Sequence, residues 1–347
     1  MKKMEKFVKK IKKYDKKNML FLLKNFYIHC KEGYNLNVPK IEKDFDKIVF
    51  TGMGGSAIAG DVLKTLFNQF SQIPIFIIRD YNIPKFVDSK TLIIVESYSG
   101  NTEETISTYK FGKEKNGIIL TISSNGEIEK LSIKDNIPYI KIPSGMPPRC
   151  AFGYLFFPIY RLFVELNILP GLTEEFFEKI ENWTSEFLPE NEDNEAIKIA
   201  KIFYKKIPII YADNKFYPGI LRWKTQIAEN SQQFTFVNEL PEMNHNEIMS
   251  YYYPEYFLKK IVVMFVISGI ENDRIRKRIE ITSKIISQKV KEVLTLKLKG
   301  DTIFEKLLYL IIFGDWVSYY LSILNKVDPT EIKEINILKE YLSKEKK

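Results

Sequence analysis

From residue 46 onward, short apolar runs alternate with longer stretches whose apolar residues recur at helical spacing. In the first half this pattern predicts strands at 47–51, 74–78, 91–95, 117–122 and 138–142, with helices at 56–69, 102–112 and 126–132. In the second half it predicts strands at 207–211, 234–237, 261–268 and 292–298, with helices at 218–230, 271–288 and 301–325. Such alternation is typical of parallel sheets with helices on both faces. The predicted fold class is therefore α/β, with two doubly wound domains.

The chain is long enough for two hydrophobic cores. Its 347 residues exceed the usual limit of a single core. We predict a first domain at 46–150 and a second at 196–347, the second with C-terminal helices. An N-terminal helical segment at 1–45 precedes them, and a helical connector at 151–195 joins them near the acidic residues 190–193.

The net charge is concentrated at the N-terminus. The formal charge is +8, and the first 17 residues hold nine lysines against Glu5 and Asp15, so the rest of the chain is nearly neutral. The segment predicts an amphipathic helix whose buried face carries Phe7, Val8, Ile11 and Tyr14. No aromatic stacking motif or second basic block accompanies the lysines. We therefore expect neither nucleic acid nor a membrane as a partner.

Cysteine usage and hydropathy favour a cytoplasmic protein. Cys30 and Cys150 lie far apart and form no metal-ligand spacing. The first apolar stretch, at 19–23, is short and is interrupted by Lys24, so it does not resemble a secretion signal. The sequence shows no uncharged apolar run of about 18 residues, the length that a membrane span requires.

Two short segments each follow a predicted strand and begin a predicted helix. They are GMGGSAIAGD at 52–61 and ESYSGNTEET at 96–105. Glycines let the backbone turn tightly around an anion, and the N–H groups of a helix start and nearby hydroxyls can donate to it. Neither segment has the lysine of a nucleoside triphosphate loop. The pair predicts a site for a small phosphorylated ligand, such as a sugar phosphate, at the carboxyl ends of the strands.

Two other interpretations of these segments stay open at this point. The first segment also fits a dinucleotide-binding pattern, Gly52-x-Gly54-x-x-Ala57, with Asp80 after the next strand as the acidic residue. In the second segment, Ser99 or Asn101 would serve only as the N-cap of the following helix.

Three further residues are candidates for chemistry. Arg149 follows a double proline and either tethers a structural partner or stabilises negative charge on a substrate oxygen. His245 lies in a polar loop after a strand and either bonds a neighbour or transfers protons near neutral pH. Glu229, near the end of the helix at 218–230, is a candidate base for proton abstraction beside a carbonyl. With a phosphate anchor, this set needs neither metal nor cofactor.

Segments along almost the whole chain resemble one enzyme family. In chain order they are GMGGSAIAGD, ESYSGNTEET, PSGMPPRCAFGY, RWKTQIAEN, ELPEMNHNE, FGDWVSYYL and DPTEIKEINILK. They are similar to the bifunctional phosphoglucose/phosphomannose isomerases, members of the phosphoglucose isomerase superfamily with two sugar-isomerase (SIS) domains. The resemblance covers residues 46–342 and leaves out the basic N-terminal segment. It implies two SIS domains, a homodimer and a metal-independent reaction.

The resemblance also implies a reaction and a set of site residues. It implies interconversion of glucose 6-phosphate, fructose 6-phosphate and mannose 6-phosphate through a cis-enediol(ate). Phosphate contacts fall on Gly54, Gly55, Ser56, Ser97, Ser99 and Thr102. Arg149 would stabilise the intermediate, and Glu229 would move the proton between adjacent carbons. His245, reaching over from the partner subunit, and Lys339 would open the sugar ring, and Thr330 is considered as the counterpart of a mannose-specificity threonine.

Two alternative functions are weighed against this isomerase. SIS domains also occur as sugar-phosphate-binding regulators, but such a protein would leave Glu229 and His245 unexplained, and no helix-turn-helix accompanies them here. The isomerising half of a glucosamine-6-phosphate synthase would need an amidotransferase domain with an N-terminal cysteine, which this sequence does not contain.

Overall fold

The computed structural model describes residues 2–42, 44–191 and 194–345. Within these ranges it describes the side chains of residues 7–344. Glu192 and Asp193 of the acidic stretch lie outside the described residues. The helices are α1 Lys2–Tyr14, α2 Met19–Lys24, α3 Phe26–Tyr34, α4 Gly55–Phe70, α5 Glu103–Glu114, α6 Gly126–Lys134, α7 Phe152–Glu165, α8 Glu174–Glu186, α9 Glu195–Phe203, α10 Tyr217–Ser231, α11 Glu255–Leu258, α12 Asp273–Ser287, α13 Ile303–Asn325 and α14 Lys333–Glu345. The strands are β1 Lys47–Thr51, β2 Ile75–Ile78, β3 Thr91–Glu96, β4 Ile118–Ser123, β5 Tyr139–Lys141, β6 Ile207–Asp213, β7 Phe236–Leu240, β8 Ile261–Ile267 and β9 Glu292–Lys297.

The chain divides into two compact units. The first-sheet unit contains Lys24–Ser185 and Thr302–Leu307, and the second-sheet unit contains the chain up to Leu23, Glu186–Asp301 and the chain from Leu308 onward. Each unit holds one parallel sheet, as the alternating pattern predicts. The domain boundaries at 45/46, 150/151 and 195/196 stay predictions.

The first sheet has the strand order β2-β1-β3-β4-β5, and all its pairs are parallel. Its central strand β3 is buried along its whole length, because helices cover both faces of such a sheet. One face packs Val49, Ile93, Val95 and Ile119 against Tyr109 of α5 and Ile128 of α6. Crossover connections of this kind bring all the strand ends to one edge, where the loops after β1 and β3 lie.

The second sheet has the strand order β7-β6-β8-β9, again with parallel pairs. The strand predicted at 234–237 instead begins at Phe236 and continues to Leu240. Its pairing with β6 starts at Ile209 opposite Phe236, so Phe234, 78% exposed, belongs to the connection from α10. Asn238 and Glu239 are polar and half-buried in this edge strand, which is why hydropathy alone placed the strand too early.

Two helices test the predictions of an amphipathic N-terminal helix and of a chain without a membrane span. The N-terminal helix α1 buries Phe7 and Ile11, while Val8 and Tyr14 are half-buried, so the predicted amphipathic helix is confirmed. Among the described helices, α13 is long and apolar enough to cross a membrane, and 94% of the apolar window is buried inside the protein. Burial of this extent is typical of a core helix.

Candidate active site

The loops after β1 and β3 meet at one edge of the first sheet. Strand pairing sets Thr51 opposite Val95, so the two loops leave the sheet side by side. A methyl group on Gly52 would lie 3.2 Å from the carbonyl oxygen of Glu96 and 3.2 Å from the Cβ atom of Ser56. The tight spacing favours a glycine there and shows that the two predicted phosphate loops are in contact.

The first loop presents the start of α4 to open space. Gly54 is the N-cap residue, with a φ of +53°, and no atom lies within 4 Å of the position that its Cβ would occupy. As a glycine, this N-cap residue has no side chain with which to cap α4. Ser56 lies in the first turn and is 6% exposed. An uncapped helix start with an adjacent hydroxyl is suited to binding an anion.

The second loop is held by its own hydrogen bonds. Ser97 Oγ and Thr102 Oγ1 are 2.9 Å apart, and Ser99 Oγ accepts a bond from the amide of Asn101. Gly100 has a φ of +66°, and a methyl group there would lie 1.7 Å from the carbonyl oxygen of Asn125, so this turn requires glycine.

The N-cap interpretation of the second loop is not what the structure shows. Asn101 Oδ1 accepts from the amide of Glu127 at 3.0 Å, which ties the loop to α6. The N-cap of α5 is Thr102, and its side chain makes no capping hydrogen bond. The start of α5, like that of α4, is therefore not closed by a side-chain cap. Asp80, the acidic residue of the dinucleotide interpretation, accepts from the adjacent Tyr81 amide at 2.5 Å.

Arg149 lies beside the first loop in the same unit. It sits in a 3-10 turn, Pro148–Cys150, and is 4% exposed. A methyl group on Gly55 would lie 3.5 Å from the Cα atom of Arg149. The preceding segment is tied to the second loop, because the amide of Met146 donates to the Tyr98 hydroxyl at 3.1 Å. The structure thus brings Arg149 beside the first phosphate loop and ties the segment before it to the second.

Glu229 is carried by a helix that is anchored through buried polar contacts. Arg222 donates two bonds to Asp315 of α13, at 2.9 and 2.7 Å, and Gln226 donates a third at 2.8 Å. Asn230 continues the same face and bonds Ser318 Oγ at 2.9 Å. Burial raises the pKa of Asp315, and the Arg222 guanidinium opposes that effect. Glu229 itself is half-buried at the edge of this face.

The loop that carries His245 is anchored by its neighbours. The Tyr211 hydroxyl donates to Glu247 Oε1 at 2.6 Å, and Tyr251 lies 2.5 Å from the same hydroxyl. Asn244 donates to Thr282 Oγ1 at 2.8 Å. Burial raises the pKa of Tyr211, which therefore stays neutral and keeps its donor. His245 is exposed on this supported loop.

Glu229 and His245 lie near opposite ends of the strands of the second sheet. After β6 the chain turns at the carboxyl ends of the strands, and α10 runs back for 15 residues, or about 22 Å, toward their amino ends. Glu229 is near the end of that return, whereas His245 follows the carboxyl end of β7. Lys339 is exposed on α14, and Thr330 is buried, with its hydroxyl donating to Asp328 Oδ1 at 2.6 Å.

Sequence reasoning missed the residues that support these groups. Arg222, Gln226 and Asn230 recur every four residues in a helix, a signal for a buried polar face. Nothing local in the sequence indicates that Asp315 is their partner. Glu96, fully buried at the end of β3, was also missed, although a carboxylate directly after Ile93-Ile94-Val95 breaks an apolar run.

Comparison with known proteins places this geometry in a fold class. A family model for the SIS domain matches residues 43–142, and one for the bacterial phospho-glucose isomerase C-terminal SIS domain matches residues 192–342. The C-terminal domain of glucosamine-fructose-6-phosphate aminotransferase from Francisella tularensis shares the fold, with a TM-score of 0.69, 15% identity, and coverage of 90% of this chain and 97% of that one. The fold is thus two SIS-type parallel α/β domains.

Sequence relatives narrow the class further. The bifunctional phosphoglucose/phosphomannose isomerase of Caldicellulosiruptor bescii is 37% identical over 90% of this chain and 94% of its own length. The protein of the same name from Thermoplasma volcanium is 35% identical over 86% of this chain and 92% of its own. The chain belongs to the bifunctional phosphoglucose/phosphomannose isomerase family and is a sugar-phosphate isomerase.

Proposed function

We propose that the protein interconverts glucose 6-phosphate, fructose 6-phosphate and mannose 6-phosphate through a cis-enediol(ate), without a metal ion. The observation that carries the proposal is the pair of helix starts without side-chain caps, lined by serine and threonine hydroxyls and flanked by buried Arg149. Such a cradle matches the phosphoester that these substrates share. Membership of the family supports the choice of sugars and of reaction.

Each site residue has a role that follows from its chemistry. Gly54, Gly55, Ser56, Ser97, Ser99 and Thr102 hold the phosphate. Glu229 removes the proton next to the carbonyl and returns it to the neighbouring carbon. Arg149 stabilises the oxyanion that forms between these steps, as a permanently charged donor close to the phosphate loop. His245 and Lys339 move the proton between the C1 hydroxyl and the ring oxygen when the sugar ring opens.

Incubation with fructose 6-phosphate in D₂O, with a chelator present, tests the reaction. An enediol route exchanges the transferred hydrogen with solvent, so the glucose and mannose products should carry deuterium at C2. NMR identifies both the sugars and the label. Full turnover in chelator supports metal independence, whereas unlabelled products would contradict the enediol. Binding without turnover would identify a non-catalytic SIS-type regulator instead.

We also propose that the active form is a homodimer in which His245 completes the site of the other copy. Support comes from the positions of Glu229 and His245, near the amino ends and the carboxyl ends of the strands of one sheet. A second observation is a cluster of exposed apolar side chains directly after the His245 loop, formed by Met249, Tyr252, Tyr253, Tyr256 and Phe257. Apolar clusters of this kind mark association surfaces.

Mixing two inactive variants tests this arrangement. Glu229→Ala and His245→Ala are each expected to be inactive as homodimers. After subunit exchange, random pairing of equal amounts should leave one intact site in half of the dimers, restoring about a quarter of wild-type activity. Light scattering measures the oligomeric state in parallel. A monomer, or a mixture that stays inactive after proven exchange, would contradict the proposal.

A further inference from the structure

Glu96 is a buried carboxyl group to which the reaction described above gives no role. It is the last residue of β3 and directly precedes Ser97 of the phosphate cradle. Its exposure is 0%, and neither carboxyl oxygen has a hydrogen-bond partner among the described residues. Buried polar groups are almost always satisfied, so an unpartnered acid at this position calls for an explanation.

The strand directs this acid toward the first phosphate loop. Side chains alternate along β3, so Glu96 shares a face with Leu92 and Ile94, opposite the face on which Ile93 and Val95 pack against α5 and α6. The Ser56 hydroxyl, in the first turn of α4, is close enough to Glu96 to lower its pKa. The two residues meet at Gly52, because a methyl group there would lie 3.2 Å from both the backbone carbonyl oxygen of Glu96 and the Cβ atom of Ser56.

The surroundings favour the neutral form of the acid. Burial raises the pKa of Glu96 well above its usual value, and the Ser56 hydroxyl is the group that opposes this effect. Charged groups on neighbouring elements include Arg149, beside Gly55, Asp61 of α4, which pairs with Arg79, and Glu103 and Glu104 in the first turn of α5. None of these charges is among the groups that shift the pKa of Glu96.

We propose that Glu96 is a positioning residue for Ser56: the neutral acid donates its O–H to Ser56 Oγ when phosphate binds. The Ser56 hydroxyl can then donate its own proton to a phosphate oxygen. The result is a chain of two hydrogen bonds, from Glu96 to Ser56 and from Ser56 to the phosphate. An ionised Glu96 can only accept, so it would turn the Ser56 proton away from the phosphate. The inference rests on the proposed function, because that function makes Ser56 a phosphate ligand.

A double-mutant cycle tests the coupling. The probe is 6-phosphogluconate, which has a carboxylate in place of the aldehyde or ketone needed for isomerisation, and calorimetry measures its Kd. Ser56→Ala should weaken binding about tenfold, the loss typical of one charge-assisted hydrogen bond. Glu96→Met should cause a similar loss, and the double variant should bind no more weakly than Ser56→Ala. Glu96→Gln, whose amide can donate, should bind within about twofold of wild type.

The outcomes distinguish a failure of the phosphate role of Ser56 from a failure of the positioning role of Glu96. If Ser56→Ala binds normally, the phosphate role of Ser56 fails, and this inference fails with it. If Ser56→Ala loses affinity but Glu96→Met does not, or if the two losses multiply, the inference alone is overturned. Glu114→Gln, an exposed change at the far end of α5, controls for altered charge.

The dependence of Kd on pH gives a second test, because a Glu96 that only supported the fold would not change it. This test does not use the Glu96→Met variant. Above about pH 8 the phosphoester is already a dianion, so any further change belongs to the protein. As the pH is raised further, Kd should rise in wild type when Glu96 ionises and should rise less in Glu96→Gln. Equal slopes in the two proteins would overturn the proposal.

Discussion

The two units hold their candidate functional residues in different ways. In the first-sheet unit, each phosphate loop is a tight turn at a helix start, with contacts inside the loop between residues close in sequence, such as Ser97 and Thr102 at 2.9 Å. In the second-sheet unit, the helix of Glu229 depends on a buried ion pair between Arg222 and Asp315, 93 residues apart. The shape of each phosphate loop is thus encoded locally, whereas the placement of the candidate base depends on distant side chains.

Glu229→Ala should have the largest effect on activity and should separate the two units by function. Loss of a general base lowers kcat by about 10²–10⁴-fold. Binding of 6-phosphogluconate should stay within about twofold of wild type, because the cradle lies in the other unit and is untouched. Coupled assays and calorimetry measure the two quantities.

Lys224→Ala is the matched control for Glu229→Ala, since it removes an exposed charge from the same helix. It should leave both kcat and binding unchanged. Substantial turnover by Glu229→Ala would remove this residue from the role of base.

Asp315→Ala should have the largest effect on stability, because it leaves the Arg222 guanidinium buried without its main partner. Both side chains of the pair are nearly inaccessible, at 2% and 5% exposure. Breaking such a pair costs about 3–5 kcal/mol of unfolding free energy. Urea titration measures the loss.

The exposed pair of Lys277 and Glu280, 3.3 Å apart on α12, provides the comparison. Glu280→Ala should cost about 0–1 kcal/mol, the range for solvated ion pairs. Equal losses in Asp315→Ala and Glu280→Ala would mean that the buried network does not anchor α10.

The contrast between local and distant contacts explains how much could be predicted from the sequence. Strands such as 47–51 and 91–95 follow from apolar runs, and the glycines at 54 and 100 mark turns that the structure contains at positive φ. The family followed from ordered motifs, and relatives confirm it. These features depend on neighbouring residues, so a single sequence displays them.

Other features need the folded chain. The helices α8, α9 and α14 were not assigned, since α8 lay in the predicted connector and α14 is exposed along its described side chains. The partnership of Arg222 with Asp315, and that of Tyr211 with Glu247, joins residues that no local pattern relates. The roles of Glu229, His245 and Lys339 stay predictions for the same reason.

Ser97→Ala tests the locally encoded cradle. It removes one hydroxyl and breaks the contact with Thr102, so KM for fructose 6-phosphate should rise about tenfold, the value of one hydrogen bond to a charged group. The value of kcat should change little, because a phosphate contact stabilises substrate and transition state alike. Steady-state kinetics separates the two constants.

Ser185→Ala, at an exposed site in the same unit, should leave both constants unchanged. A fall in kcat without a rise in KM for Ser97→Ala would place Ser97 in the chemical step rather than in phosphate binding.

Asp135→Asn, at the surface of the first-sheet unit, should have the smallest effect on stability. Lys113, at 2.7 Å, and the Tyr109 hydroxyl lower the pKa of Asp135 below its ordinary 3.8. A carboxyl group with a lowered folded-state pKa adds stability above its unfolded pKa and loses it as the pH falls through the folded value. Wild type should therefore melt slightly above Asp135→Asn near neutral pH, and the gap should close below pH 3.8. A gap that persists in stronger acid would mean that the side chain stabilises α6 through its shape rather than through its charge.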